Sequence, residues 1–124
     1  MKYDRFVEYG RLVLVDAGAH KGELAVITNI LNIKTVQIEG PKVPRCIIPV
    51  NHIMLSAFSK PSKESIKSAD ALAICKELIP EFEKSEAGRQ LKARSLRANL
   101  NDFQRFTALR LNKMRNDKIH ELCK

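Results

Sequence analysis

From residue 5 to residue 56, apolar positions come in short runs separated by turn formers. Residues 11–15 (RLVLV) are one run, and Asp16-Ala17-Gly18 behind it reads as a turn. Residues 23–31 (ELAVITNIL) are a second, rich in β-branched side chains and ended by Asn32. Residues 35–39 (TVQIE) alternate apolar and polar with period two, as a half-buried strand does. Gly40-Pro41 breaks the chain; residues 45–48 (RCII) are a fourth run stopped by Pro49, and residues 53–56 (IMLS) a short fifth. Short strands at this spacing predict a small barrel, because closure removes exposed edges.

Residues 57–64 (AFSKPSKE) read as a linker, after which the period becomes helical. Ile66, Ala69, Leu72 and Ala73 recur at helical spacing, with Ser62 as the expected N-cap. Pro80 either kinks this helix or opens the next at its first turn. A second helix is expected over 81–97, with Gly88 as its weak point, and Asn99-Leu100-Asn101-Asp102 offers caps for a third over 102–122. At about 100° per residue, the basic side chains of the third helix, from Arg105 to Lys118, ring its axis. Its apolar residues do too, with Phe103, Phe106, Leu109 and Met114 on one arc and Leu111, Ile119 and Leu122 on the other. A helix lying on its own domain segregates the two kinds. This one is expected to need RNA on some sides and protein on others, the alternative being a frayed, solvated tail. Repeats and low-complexity tracts are absent from the sequence.

Charge sharpens that picture. The 124 residues suit one compact domain, or a small domain with an appendage, and the 44% hydrophobic content argues against wholesale disorder. The net charge is +8. Residues 1–60 hold eight basic and five acidic residues, residues 61–88 four and six, and residues 89–124 ten and three. Such a balance attracts polyanions, and a basic segment behind a near-neutral one is the usual form of a nucleic-acid arm. A merely soluble basic protein is the plainer reading. Apolar runs stay shorter than the ~18 residues of a membrane span. Residues 1–6 (MKYDRF) lack the apolar stretch of a secretory signal, so the cytosol or nucleus is expected.

Catalytic chemistry finds little support. Cys46, Cys75 and Cys123 are scattered without a CxxC pair, and His20, His52 and His120 share no ligand spacing with them. Neither a metal nor a cofactor is expected. Cys46 beside His52 is a weak nucleophile pair, since a cysteine in an apolar strand usually just packs, and Cys75 is expected to pack as well. Residues 18–22 (GAHKG) lack the GxxxxGK spacing of a nucleotide loop, so RNA backbone phosphate is the better ligand for them. Phe103 and Phe106 fit protein contact better than base stacking.

Gly10, Val13, Val15, Gly18, Lys21, Gly22, Ala25 and Ile27 follow one another at strand–loop–strand spacing. Gly10, Gly18 and Gly22 are the expected turn positions, with His20 and Lys21 at the loop tip. This resembles the KOW motif of SH3-like barrels that bind RNA, with Ala25 where a second glycine is often found. Taken alone, the motif also fits an SH3-like interaction barrel. The rest of the chain extends the likeness. Residues 6–11 (FVEYGR), 35–41 (TVQIEGP), 45–50 (RCIIPV) and 54–56 (MLS) are similar to the opening of the eukaryotic and archaeal large-subunit ribosomal protein fourteen family. Residues 101–106 (NDFQRF) and 113–116 (KMRN) resemble the "DFDRF…KKMRN" segment of its eukaryotic members. The likeness is thinnest from 60 to 95, and the long Lys/Ala-rich tail of many eukaryotic members is not matched.

The resemblance implies a β + α fold: an SH3-like barrel with its KOW motif over 1–58, then an α-helical C-terminal extension over 59–124, basic from about residue 89. It implies a structural component of the large ribosomal subunit that binds and bridges ribosomal RNA beside neighbouring ribosomal proteins. Such a protein is cytoplasmic, after nuclear or nucleolar assembly in a eukaryote. It is not an enzyme, takes no small-molecule substrate, touches no membrane and forms no homo-oligomer. The expected RNA contacts are Arg11, His20, Lys21, Lys42, Arg45, Arg89, Lys92, Arg94, Arg97, Arg105, Arg110, Lys113, Arg115 and Lys118. The runner-up is a KOW-type RNA-binding factor outside the ribosome, in transcription or assembly.

Overall fold

The five apolar runs are five strands. In a computed structural model that describes residues 3–124, the order is β1 (Arg11–Val15), β2 (Leu24–Ile30), β3 (Thr35–Glu39), β4 (Cys46–Pro49), a 3-10 turn (Val50–His52) and β5 (Ile53–Ser59). The helices α1 (Ser68–Lys84), α2 (Glu86–Ala98) and α3 (Asp102–Leu122) follow. The strands form one antiparallel sheet in the order β4-β3-β2-β1-β5, so the chain has the expected β + α arrangement.

Alternation along the strands fills one side of the sheet. Val13, Val15, Ala25, Ile27, Val36, Ile38, Val43, Ile48 and Ile53 form a single buried cluster. Leu12 and Val26 face each other in the β1–β2 register, fully buried yet outside that cluster. They belong to the other side, which α1 covers with Ala71, Cys75, Leu78 and Phe82 at spacings of one helical turn. The Phe82 ring meets Phe58 edge-on at 6.3 Å. Because α1 is needed to bury this second side, the first compact unit continues through α1 to Ser85; Glu86–Lys124 form the second.

β5 runs to Ser59, three residues past its expected end, because a bulge carries it on. Its register with β1 shifts between Arg11, opposite Ser59, and Val13, opposite Leu55. Buried side chains satisfy the backbone groups the bulge frees. The Arg11 Nη1 donates to the Ser56 carbonyl at 2.7 Å, and the Ser56 hydroxyl donates to the Leu12 carbonyl at 2.6 Å.

The first helix differs from its expected phase. Ser62 caps no helix; its hydroxyl accepts the Glu64 amide at 3.3 Å in a local turn, and α1 starts six residues later. Ile66 is buried but lies ahead of the helix, its amide bonded to the Thr28 carbonyl at 2.9 Å. Counting Ile66 as helical turned the expected apolar face away from the one actually buried. Pro80 lies inside α1 and opens no helix. The break falls at Ser85, whose amide returns to the Phe82 carbonyl at 3.0 Å, while Gly88 is a buried position within α2.

Gly10, Gly18 and Gly22 all have positive φ (85°, 98° and 89°) but differ in surroundings. A Cβ on Gly10 would sit 2.0 Å from the Lys60 carbonyl oxygen, whereas Gly18 and Gly22 have nothing within 4 Å. Gly22→Ala is therefore expected to cost only the left-handed backbone penalty, about 1–2 kcal/mol. Gly10→Ala adds a backbone clash and should cost several times more, to the point of preventing folding. Urea midpoints of the two variants measure the difference, and equal midpoints would contradict it.

Candidate nucleic-acid interface

The β1–β2 loop is built by backbone hydrogen bonds. The Val15 amide donates to the Glu23 carbonyl at 3.0 Å and the Gly22 amide to the Val15 carbonyl at 2.8 Å, closing the hairpin. The Asp16 amide donates to the His52 carbonyl at 2.7 Å, pinning the loop base to the 3-10 turn. Positive φ at Gly18 and Gly22 lets the chain reverse, which leaves Lys21 exposed at the tip and His20 half-buried. Lys42 lies 3.7 Å from Glu23, so the β3–β4 turn brings a second exposed lysine to the base of this loop.

Two expected contacts are already engaged within the first unit, Arg11 buried and Arg45 exposed. Arg11 is only 4% exposed, and its guanidinium is held by the Ser56 carbonyl and by Glu8 Oε1, each at 2.7 Å. It serves the β5 bulge and offers no surface for a phosphate. Arg45 spends its guanidinium on the chain entering α1: the Ile66 carbonyl at 3.0 Å and Ser68 Oγ at 3.3 Å, with Glu39 3.9 Å away. Arg45 is a clip between the strands and α1 that keeps a partly exposed edge.

The second unit contrasts with this. Arg89, Lys92, Arg94, Arg97, Arg105, Arg110, Lys113, Arg115 and Lys118 are all exposed. Among the described residues, the ion pairs all lie before Arg89: Glu8–Arg11, Glu23–Lys42, Glu39–Arg45 and Lys60–Glu77. α3 opens on a capping box, Asn101 Oδ1 accepting the Gln104 amide at 2.8 Å and Gln104 Oε1 accepting the Asn101 amide at 3.1 Å. It buries no residue; Phe103 and Leu122 are both 82% exposed, and Phe106, Leu109, Leu111, Met114 and Ile119 lie open as well. The sequence reading passed over Gln90 and Ala93, which line an open depression on α2 with Arg89, Arg94, Arg97 and Glu86. These residues share one face of α2 at about 100° per residue, a signal present in the sequence.

Burial pushes the Cys46 thiol up, and pushes Cys75 up to about 11, helped by the Glu39 carboxylate. Cys123 is exposed. Among the described residues, no group of His, Cys, Asp and Glu is arranged to hold a metal, and no helix is long and apolar enough to cross a membrane.

The sequence profile of the family described as Ribosomal protein L14 matches residues 44–116. The Large ribosomal subunit protein eL14 of Tetrahymena thermophila is 34% identical over 119 residues, which cover 91% of this chain and 92% of that protein. The protein of the same name from Schizosaccharomyces pombe is 31% identical over 122 residues, with 95% and 91% covered. That of Pisum sativum is 31% identical over 108 residues, with 86% and 81% covered.

The chain belongs to this L14 family.

The profile match begins two residues before β4 and ends within α3. It therefore includes residues 60–95, where the likeness read from the residues was thinnest. The KOW-like loop lies before it, inside the reach of the Schizosaccharomyces pombe L14 alignment, whose 95% coverage leaves too few residues outside to omit the loop.

The raised Cys75 thiol gives a signed pH effect. In the unfolded chain the thiol loses its proton near 9.0, and in the folded protein near 11. Between those values the unfolded state binds fewer protons, so stability falls as pH rises. The urea midpoint is expected to drop more between pH 9 and 11 for the wild type than for Cys75→Ala. Parallel profiles would refute this.

Proposed function

We propose that the chain is a structural constituent of the large ribosomal subunit that binds and bridges ribosomal RNA. The carrying observation is α3: a capped helix with no buried residue, its basic side chains in no ion pair and its apolar ones open, in a chain of the L14 family. Such a helix finds its partners outside its own unit, and relatives named for the large ribosomal subunit say what kind of assembly supplies them. RNA helices brought together repel; Lys and Arg between them replace diffuse counterions with fixed charge. Lys21 and Lys42 supply cations from the loop end of the sheet, and α2 and α3 supply most of the rest. Phe103 and Phe106 go to protein neighbours. The working place is the ribosome in the cytoplasm, and no catalytic step is involved.

The full-length chain is expected to sediment with the large subunit through a high-salt sucrose gradient. Remaining at the top would overturn the reading in favour of a factor outside the ribosome. If about five phosphates are neutralised, binding to a cognate RNA fragment should weaken with a log–log salt slope near −4. Deleting residues 86–124 should flatten that slope; an unchanged slope would assign the helices to protein contacts instead. Free of its partners, α3 has only local bonds to hold it, and an isolated helix of such length is marginal in water. Amide exchange in α3 should therefore be fast off the ribosome and slow in β1–β3, and strong protection of α3 in the free protein would count against this.

A further inference from the structure

Resting on the RNA-binding reading above, we infer that one face of α2, with Arg89, Arg94 and Arg97 standing around Ala93, is a receptor for the phosphate backbone of duplex RNA. Glu86, Arg89, Gln90, Ala93, Arg94 and Arg97 line one shallow, open depression between their own side chains. At about 100° per residue they fall within some 140° of the helix circumference. Gly88, buried, lies on the opposite side. Arg89 and Arg97 are eight residues apart, about 12 Å along the axis, so the guanidiniums span two turns rather than one point.

The chemistry of the face selects the ligand. Its three guanidiniums have no carboxylate partner among the described ion pairs, and a guanidinium presents paired donors that match phosphate oxygens. Glu86, the acid at one end, is already engaged: the Gln90 Nε2 donates to its Oε1 at 3.3 Å. A protein partner would look for an apolar or aromatic anchor; Ala93 is the one apolar side chain lining the depression, and the exposed Leu96 stands at its margin, outside the lining. Single strands would need an aromatic platform for stacked bases, and the face has none. A backbone read through charge and spacing is what remains. The small side chain of Ala93 matters because it leaves the floor of the depression open between the cations.

The floor makes a sharp test. Ala93→Glu puts a carboxylate among the three cations and keeps a good helix former, at a cost of one unit of net charge. Lys76→Glu, on the exposed surface of α1, costs two units and leaves the face untouched. The probe is a 20-base-pair RNA duplex of mixed sequence, titrated with the full-length chain at several salt concentrations. Ala93→Glu should weaken binding tenfold or more, and Lys76→Glu about threefold or less. The triple variant Arg89→Gln, Arg94→Gln, Arg97→Gln should reduce the salt slope by about 2–3, as losing three phosphate contacts requires. This variant decides the matter if Ala93→Glu lowers the helicity seen by circular dichroism. A Lys76→Glu effect equal to or larger than that of Ala93→Glu would reduce the face to general charge, and an unchanged slope in the triple variant would remove it as a phosphate site. Displacement of the duplex by polyglutamate at equal charge concentration would make the ligand an acidic protein and overturn the inference. Failure here with normal sedimentation of the wild type leaves the ribosomal reading standing. Duplex binding that follows the expected order in a wild-type chain that does not sediment with the subunit leaves the receptor standing and removes the ribosome.

Discussion

The buried Arg11–Ser56 contact governs the path of the first unit. A bulge in β5 leaves backbone groups unpaired inside the sheet, and an orphaned buried carbonyl is costly. Arg11 supplies a donor to the Ser56 carbonyl, and the Ser56 hydroxyl supplies one to the Leu12 carbonyl. With those groups satisfied, β5 continues to Ser59 and sets Lys60 against Gly10, the Lys60 amide donating to the Gly10 carbonyl at 3.0 Å. That approach is possible only because residue 10 has no Cβ. The chain then passes to Ile66, bonded to Thr28, and turns into α1 over Leu12 and Val26. Each step positions the next, so the covering of the second side of the sheet traces back to one buried guanidinium.

The same residue types do opposite work in the two units. Arg11, Lys42, Arg45 and Lys60 all have acidic partners, in a segment where carboxylates are nearly as frequent as cations. From Arg89 onward only Asp102, Asp117 and Glu121 are acidic, and the cations stay unpaired. Exposed ion pairs add little stability, about 0–1 kcal/mol, so the paired lysines are not there for strength alone. Pairing and nearby carboxylates lower the attraction of the first unit for polyanions, and the positive field of the molecule is concentrated on α2 and α3, with Lys21 and the exposed Lys42 adding to it at the loop end of the sheet.

How far the sequence revealed this depended on how local each signal was. Short apolar runs between turn residues located all five strands, with period-two alternation marking β3, and the positive φ of Gly10, Gly18 and Gly22 followed from their place beside strand ends. The third helix was legible too, because its cap is a contact within four residues: Asn101, one of the four residues offered as caps, closes a capping box with Gln104. What failed was non-local. Ser62 had the chemistry of a cap and Ile66 the spacing of a helix face, but the Ile66 amide is bonded to the Thr28 carbonyl, far earlier in the chain, and Ile66 lies outside the helix. Arg11 looked like a surface cation because a bulge that needs it cannot be read from a strand pattern. Basic residues were found by type, while their division into structural and free ones needed coordinates. Ala93 carried no signal by type at all, and its meaning comes from the arginines one turn to either side.

α3 shows why its partners must contribute to its stability. A strand gains its place from neighbours far away in sequence; α3 has a capping box at one end and its own ladder. Large apolar side chains left in water forgo about 25 cal/mol for every Å² that could be covered. Seven such residues in one helix hold back a stabilisation that arrives only when other surfaces close around it. Because apolar and basic groups alternate around the axis, one flat partner cannot satisfy both. A surface that supplies phosphate to Arg110 and Lys113 leaves Ile119 and Leu122 exposed on another side of the helix. The helix is therefore suited to a site walled by more than one component, where neutralised charge and buried apolar area accumulate together. Ordering the helix consumes part of that gain, so its contacts become favourable as a set and weak one at a time.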